Sequence, residues 1–414
     1  MKPQNTNKKT KILVAMSGGV DSSVAAFLMK EKGYEVIGAF MKNWSDTKNE
    51  FGECSWKDDR RSAMDVAAKL KIPLITLDFE KEYRHEVIDE MFKLYKKGVT
   101  PNPDIDCNQK VKFPLLWKSA KKLGCEFVIT GHFARTKKTG KGFEMLRAKD
   151  ENKDQSYFLY RISEKDLERT LFPIGNYTKS QVREIAKKNG LLNWNRKSTV
   201  GICFVGKINL KEFLQIKIKP KKGKILDPEG NTIGQHDGIY YYTIGQRLGP
   251  RYGIHLEKNS KDKKHVKRWY VARKDVTKNE IVAAPEGHPL LYRKEIVMRD
   301  VHWIDKDTKD KMNQLKVNNK VVKYNKKPAT NSQAHNISLV NSKKLSAIKN
   351  KQQISVRARI RQVGELLPST VKYNPTKKRY EVFLKEAITG VSEGQAIVLY
   401  RGRKVLGGGV IGFE

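Results

Sequence analysis

The first two hundred residues switch repeatedly between two hydrophobic rhythms. Residues 11–16 (KILVAM) form a short apolar run, the pattern of a strand covered on both faces. From Val20 the spacing changes. Val24, Phe27 and Leu28 fall on one helical face, and Gly33 stops the helix. Residues 35–40 and 73–79 repeat the strand pattern, 58–70 and 80–97 the helical one, and 126–130 (EFVIT) is a further strand. Thr178 and Gln181 are spaced as a capping box, and Gly190 ends the helix they open. Strands alternating with helices predict an α/β domain, a mostly parallel sheet with helices on both faces.

Beyond residue 206 the texture becomes short β-like runs between Gly, Pro and Asn turns, first IYYYTIGQRLG, RWYVARKDV and NEIVAAP, later KRYEVFLKEA and AIVLYRG. The pattern divides the chain into an α/β domain at 1–206, a small β-rich central domain at 207–284 and a β-barrel-like domain at 285–414. Residues 306–351 interrupt the last of these with twelve Lys, two Asp and many Asn. That composition is expected to be a loosely ordered, solvated insertion, with a second use as an electrostatic arm for nucleic acid.

A chain of 414 residues is consistent with two or three domains at about 150 residues each. Charge narrows the class. The 83 Lys+Arg against 45 Asp+Glu leave a net +38, more than solubility requires, and point to a polyanionic partner. No run approaches the roughly 18 apolar residues of a membrane span, and the polar start MKPQNTNKKTK carries no signal-peptide core, so a cytoplasmic protein is expected. The four cysteines (Cys54, Cys107, Cys125, Cys203) include no CxxC pair, which argues against a zinc site and a secreted disulfide framework. Cys125 reads as core.

The chemistry begins at Ala15-Met16-Ser17-Gly18-Gly19-Val20-Asp21-Ser22-Ser23, between the first strand and the first helix. It has neither the Lys of a Walker A loop nor GxGxxG. Adjacent glycines let the backbone approach an anion, the helix start supplies N–H groups and a positive dipole end, and serines add donors. Asp21 suits such a site only if a divalent cation accompanies the anion, as Mg²⁺ does a nucleotide. Two cysteines sit in structured loops. Cys107 follows Thr100-Pro101-Asn102-Pro103-Asp104-Ile105-Asp106, with Lys110 and Lys112 nearby, and Cys203 lies within Gly201-Ile202-Cys203-Phe204-Val205-Gly206.

The glycine loop resembles the PP-loop of the ATP pyrophosphatases. Together with TPNPDxxCN, GICF, Phe40-Met41-Lys42-Asn43-Trp44, Thr130-Gly131-His132, residues 153–159 (KDQSYFL), 171–175 (LFPIG), 243–247 (TIGQR) and the tail 406–409 (LGGG), it resembles the bacterial tRNA-specific 2-thiouridylase family along nearly the whole chain. The resemblance implies a PP-loop, adenine nucleotide alpha hydrolase-like catalytic domain followed by the two β-rich domains. It also implies ATP-dependent replacement of the C2 oxygen of the wobble uridine of tRNA by sulfur.

Residue by residue, the resemblance implies that Ala15, Met16, Ser17, Gly18, Gly19, Val20, Asp21 and Ser22 bind ATP, with Met41 and Gly131 on the adenosine and Asp21 helping to hold Mg²⁺. Cys203 carries a persulfide delivered by a sulfur-donor protein. Cys107 attacks it or releases hydrogen sulfide, leaving a transient Cys107–Cys203 disulfide, and Asp104 is the acid/base residue. Asn102, Pro103, Asp104, His132, Lys153, Asp154 and Gln155, with Arg359, Ile360 and Gln395 in the last domain, meet the tRNA. Asp106 stands where the family commonly has an aliphatic residue, and its carboxylate is expected to slow the Cys107 step. An amine-adding PP-loop ligase and a non-catalytic tRNA-binding protein remain as alternatives.

Overall fold

The computed structural model describes residues 9–46, 56–197, 209–249, 268–324, 353–362 and 364–413, the side chains of 317–324 excepted. Cys54 and Cys203, the whole GICF segment and most of the basic insertion lie outside them. The described chain divides into two compact units. One spans the first 222 residues with two short later pieces, and the other holds most of the remainder.

The first unit begins with β1 (Lys11–Ala15), α1 (Val20–Glu31), β2 (Glu35–Lys42), α2 (Trp56–Lys69) and β3 (Leu74–Asp78). A long helical stretch follows: α3 (Glu80–Tyr83), a π-helical turn at Arg84–Asp89 and α4 (Glu90–Lys96). A second runs through α5 (Pro103–Asp106), another π-turn at Cys107–Lys112 and α6 (Phe113–Lys122). Next come β4 (Phe127–Ile129), the hairpin of β5 (Ala134–Thr139) and β6 (Gly142–Arg147), α7 (Ser156–Leu159), α8 (Glu164–Glu168), β7 (Thr170–Leu171), α9 (Lys179–Lys188) and α10 (Leu210–Gln215). The sheet order is β3-β2-β1-β4-β7, with every pairing parallel. Ile12, Leu13 and Val14 are fully buried because helices cover both faces, as the unbroken apolar run requires. Leu13 joins one apolar cluster with Val87, Met91 and Leu116, whereas Ile12 and Val14 join another with Val24, Val66 and Val182. The chain leaves β1 to one side for β2 and returns on the other as β4. This reversal opens a crevice at the carboxyl ends of β1 and β4, the standard ligand position in open α/β sheets.

The second unit contains β8 (Gly223–Leu226), β9 (Thr232–His236), β10 (Arg247–Leu248), β11 (Trp269–Asp275) and β12 (Glu280–Pro285) in one sheet of order β10-β11-β12-β8-β9. It also contains β13 (Tyr292–Trp303), α11 (Lys306–Tyr324), β14 (Gln353–Arg359), β15 (Leu367–Asn374), β16 (Arg379–Thr389), β17 (Ala396–Arg401) and β18 (Lys404–Gly412). These last six strands run in the order β13-β16-β15-β14-β17-β18. Pairing of β13 with β18 closes them into a barrel filled by Ile296, Val356, Val382, Leu399 and Leu406.

The structure corrects one expectation here. The Lys/Asn-rich insertion does not begin as loosely ordered chain: its first nineteen residues are α11. Asp305 starts this helix by accepting from the Thr308 N–H at 3.0 Å and the Thr308 hydroxyl at 2.6 Å, the geometry of an N-cap. Met312 and Leu315 then enter the barrel core. Two apolar residues three apart are enough to fix a helix to a hydrophobic surface even in a lysine-rich context.

Candidate active site

The loop after β1 is held by its own serines and by distant residues. Ser22 Oγ donates to the Gly19 carbonyl at 3.0 Å and accepts from the Ser17 N–H at 3.2 Å. Ser23 Oγ also donates to the Gly19 carbonyl at 3.0 Å. The Gly18 carbonyl accepts from three side chains: Ser62 Oγ at 2.8 Å, Asn193 Nδ2 at 2.8 Å and Arg196 Nη1 at 3.1 Å. Arg196 continues to Asp59 at 2.6 Å. Burial lifts the Asp59 carboxyl above its usual value against the pull of that guanidinium. Gly18 has φ +77°, and a Cβ there would lie 2.2 Å from the Asp59 carbonyl oxygen, so a side chain is excluded by conformation and by space. With its carbonyls engaged from behind, the loop turns toward the start of α1, where Gly19 occupies the N-cap without a side-chain cap.

Gly131 closes the other side of the crevice. A Cβ on it would fall 2.5 Å from the Ser22 nitrogen, so the segment after β4 lies directly against the loop. Met41, near the end of β2, is 5 % exposed. Asp21 is only half-buried, and its Oδ1 meets Lys179 Nζ at 2.5 Å. Among the described residues no group of three or more His, Cys, Asp or Glu side chains is placed to hold a metal ion. The donor set fits a cation that draws on Asp21 and otherwise on phosphate and water oxygens.

Across the same segment lies the helix of Cys107. Asn102 and Pro103 open α5, Asp104 occupies its first turn, and Cys107 begins the π-turn with its side chain fully buried. Such wide turns recur at functional sites. Asp106 pairs with Lys110 at 3.7 Å, so the carboxylate beside the thiol is offset by a cation one turn away. Lys112 Nζ lies 3.4 Å from His132 Nε2, and Thr130 Oγ1 lies 2.8 Å from His132 Nδ1. An ammonium can only donate, which assigns the ring proton to Nδ1. Burial, reinforced by Lys112, holds the imidazole well below its usual value, and it is neutral. Phe113 stacks on its face at 5.9 Å.

The 153–159 motif meets the same helix. Asn108 Nδ2 donates to the Phe158 carbonyl at 3.2 Å, and Gln155 Oε1 accepts from the Phe133 N–H at 2.9 Å. Lys153 is exposed, whereas Asp154 is 1 % exposed, accepting from Ser156 Oγ at 2.9 Å and the Ala148 N–H at 3.0 Å. The structure thus brings the Cys107 helix, His132 and the segment of Gln155 together, and Asp154 is buried within that segment as a brace.

Arg359, Ile360 and Gln395 belong to the second unit. Arg359 is 3 % exposed with its guanidinium 5.4 Å from the Tyr400 ring centre. Ile360 lines a cleft of about 410 Å³ with Tyr292, Arg361 and Glu365. Gln395 is half-buried, and its carbonyl accepts from the Ile411 N–H at 2.7 Å.

Sequence reasoning missed Ser62, Asn193, Arg196 and Lys179, all brought to the loop from far along the chain. Only Lys179 left a local signal: a cation in the first turn of a helix opposes the dipole there and calls for a partner.

Three family models match successive parts of the chain. Residues 10–207 match the family described as tRNA methyl transferase HUP domain, 211–285 the tRNA methyl transferase PRC-barrel domain and 329–411 the Aminomethyltransferase beta-barrel domain. Fold and matches together define a HUP-type α/β domain with a PP-loop at its switch point, followed by PRC-barrel and β-barrel domains. Among curated relatives, the tRNA-specific 2-thiouridylase MnmA of Lactobacillus helveticus is 38 % identical over 98 % of this chain and 96 % of its own. That of Legionella pneumophila is 44 % identical over 72 % of this chain and 80 % of its own. The chain belongs to the tRNA-specific 2-thiouridylase family. A solved 4-thiouridine synthetase–RNA complex with bound ATP covers 50 % of this chain and 50 % of its own at 17 % identity and a TM-score of 0.31, a likeness too slight to carry an argument.

Proposed function

We propose that this protein is an ATP-dependent tRNA-uridine 2-sulfurtransferase acting on the wobble uridine. One observation carries the reading. The segment Thr130–His132 touches the glycine loop through Gly131 and the Cys107 helix through His132, so the nucleotide and thiol elements share a boundary. The net charge of +38 suits a tRNA backbone. A cytoplasmic setting is compatible with that partner, and among the described residues no helix is long and apolar enough to cross a membrane.

The loop 15–22 and the start of α1 bind the phosphates of ATP, with Met41 and Gly131 at the adenosine. Asp21 would hold a Mg²⁺ accompanying the phosphates, and that ion would supply charge neutralisation there. The uracil O2 attacks Pα. The O–Pα bond forms, pyrophosphate leaves with the electron pair of the broken Pα–O bond, and Asp104 takes the N3 proton. An unreactive oxygen has become part of a leaving group. A persulfide on Cys203, loaded by a sulfur-donor protein, adds its terminal sulfur to C2, and AMP departs. The Cys107 thiolate then attacks the Cys203 sulfur. A Cys107–Cys203 disulfide forms, the outer sulfur stays on C2, and Asp104 returns the proton to N3. A dithiol reductant resets the pair. Asn102, Pro103, His132, Lys153 and Gln155 present the base, with Asp154 bracing them, while Ile360 and Gln395 contact tRNA from the second unit and the buried Arg359 supports them. A wobble base is already unpaired, so its presentation costs little.

The test combines purified protein, MgATP, a persulfide source and unmodified tRNA. Pyrophosphate release that requires tRNA, together with 2-thiouridine in the digested RNA, is expected. Cys107→Ser and Cys203→Ser should each abolish thiouridine yet still bind ATP. Thiouridine formed by both variants would remove the thiols from the mechanism, and pyrophosphate release without tRNA would favour an amine-adding ligase.

A further inference from the structure

The first turn of α9 carries no acidic residue. Lys179 stands at its first position, where the helix dipole repels a cation. Thr178 and Gln181 already cap this terminus, Thr178 Oγ1 accepting from the Gln181 N–H at 3.3 Å and Gln181 Oε1 from the Thr178 N–H at 2.9 Å. Asp150 accepts the Lys179 N–H at 2.9 Å. The ammonium therefore has no part in closing the helix. It reaches instead to Asp21 on the first turn of α1, at 2.5 Å, with its side chain only 15 % exposed and its Nζ 5.9 Å from the Phe133 ring centre.

Two helix starts thus converge beside the glycine loop, and the one acid joining them, Asp21, is the acid that a divalent cation accompanying the phosphates would engage. Once that carboxylate turns to a cation, Lys179 is left partly buried next to the loop with its charge uncompensated. The group that best satisfies it is the pyrophosphate end of the nucleotide.

We propose that Lys179 is a catalytic residue that contacts the β- and γ-phosphates and stabilises the pyrophosphate as it leaves. This inference rests on the nucleotide-binding reading of the loop given above. When the Pα–O bond to the β-phosphate breaks, its electron pair and the resulting negative charge stay on pyrophosphate. An ammonium held in place by α9 meets that charge without reorganising.

The test is calorimetric binding to the full chain, with Mg²⁺ present, of α,β-methylene-ATP, AMP and inorganic pyrophosphate. The proteins are wild type, Lys179→Ala and Lys179→Arg, each checked by thermal unfolding. A lost charge-assisted hydrogen bond should weaken α,β-methylene-ATP binding by about tenfold or more in Lys179→Ala and leave AMP within about twofold. Pyrophosphate competition should disappear, and Lys179→Arg should recover part of both. Equal weakening of ATP analogue and AMP would show that Lys179 only ties α9 to α1, and the proposal would fall. Unchanged analogue binding in Lys179→Ala would also overturn it. A wild type that binds no nucleotide would instead bring down the reading of the loop, and this proposal with it. If Lys179→Ala does not fold, Lys179→Arg decides: pyrophosphate competition retained at least in part with AMP binding unchanged sustains a charge contact, and its loss, or AMP binding lowered in parallel, refutes it.

Discussion

The glycine loop and the Cys107 turn lie on either side of one short segment, yet they are built in opposite ways. The loop is pinned from behind, three side chains meeting the Gly18 carbonyl, while the start of α1 faces the crevice. Its shape is held by the protein's own hydrogen bonds. Cys107 is fully enclosed, in a π-turn between α5 and α6. One side of the site has its electrostatics set in advance, and the other keeps a reactive group covered. Under the proposed mechanism the contrast fits an order in which activation comes first and exposure of the thiol is useful only afterwards. A thiolate standing open to solvent would meet oxidants before it met its substrate.

The largest expected effect breaks the first half of the comparison. Gly18→Ala forces a Cβ to within 2.2 Å of the Asp59 carbonyl oxygen at φ +77°. Strain of this kind costs roughly 1–3 kcal/mol before any overlap is counted. ATP affinity measured by calorimetry should fall by about a hundredfold, equivalent to about 2.7 kcal/mol. A variant that binds normally would show the loop to be less rigid than its hydrogen bonds suggest.

The second prediction sharpens the other half. Site-resolved mass spectrometry after iodoacetamide treatment should find Cys107 labelled about a hundredfold more slowly in the folded protein than in urea, because access requires local opening. Addition of tRNA with a non-hydrolysable nucleotide should restore much of the rate. Labelling of the unliganded protein at the urea rate would contradict an enclosed thiol.

The smallest effect concerns Asp106. Lys110 at 3.7 Å offsets its charge, and partly exposed pairs of this kind are weak. Asp106→Asn should therefore change kcat of thiolation by less than about threefold, small against about 1.4 kcal/mol per factor of ten. A larger gain would mean that the carboxylate does act on Cys107, as its position next to the thiol first suggests.

The parts of this molecule visible in the sequence are those written in short windows. The apolar run of β1, the glycine loop and the Thr178–Gln181 capping box each sit within about ten residues, and all three stand where periodicity and spacing put them. What could not be read depends on chain reversal. Nothing near Gly18 announces Ser62, Asn193 or Arg196, because their approach is set by the β3-β2-β1-β4-β7 order. The π-turns were also hidden: an extra residue in a helical turn leaves the apolar spacing almost unchanged, so 80–97 reads as one helix although it carries such a turn at Arg84–Asp89. Composition misled at α11, where lysine and asparagine obscured the Met312 and Leu315 anchors.

Closure of the barrel has a consequence for how freely the chain can vary. Because β13 is bonded to β16 on one side and to β18 on the other, the register of all six strands is fixed without help from the connection between β13 and β14. Lengthening a connection adds only about 0.6 kcal/mol of closure entropy per doubling. The stretch between α11 and β14 can therefore change in length or charge at small cost, while the barrel wall and the Met312 and Leu315 anchors keep their shape.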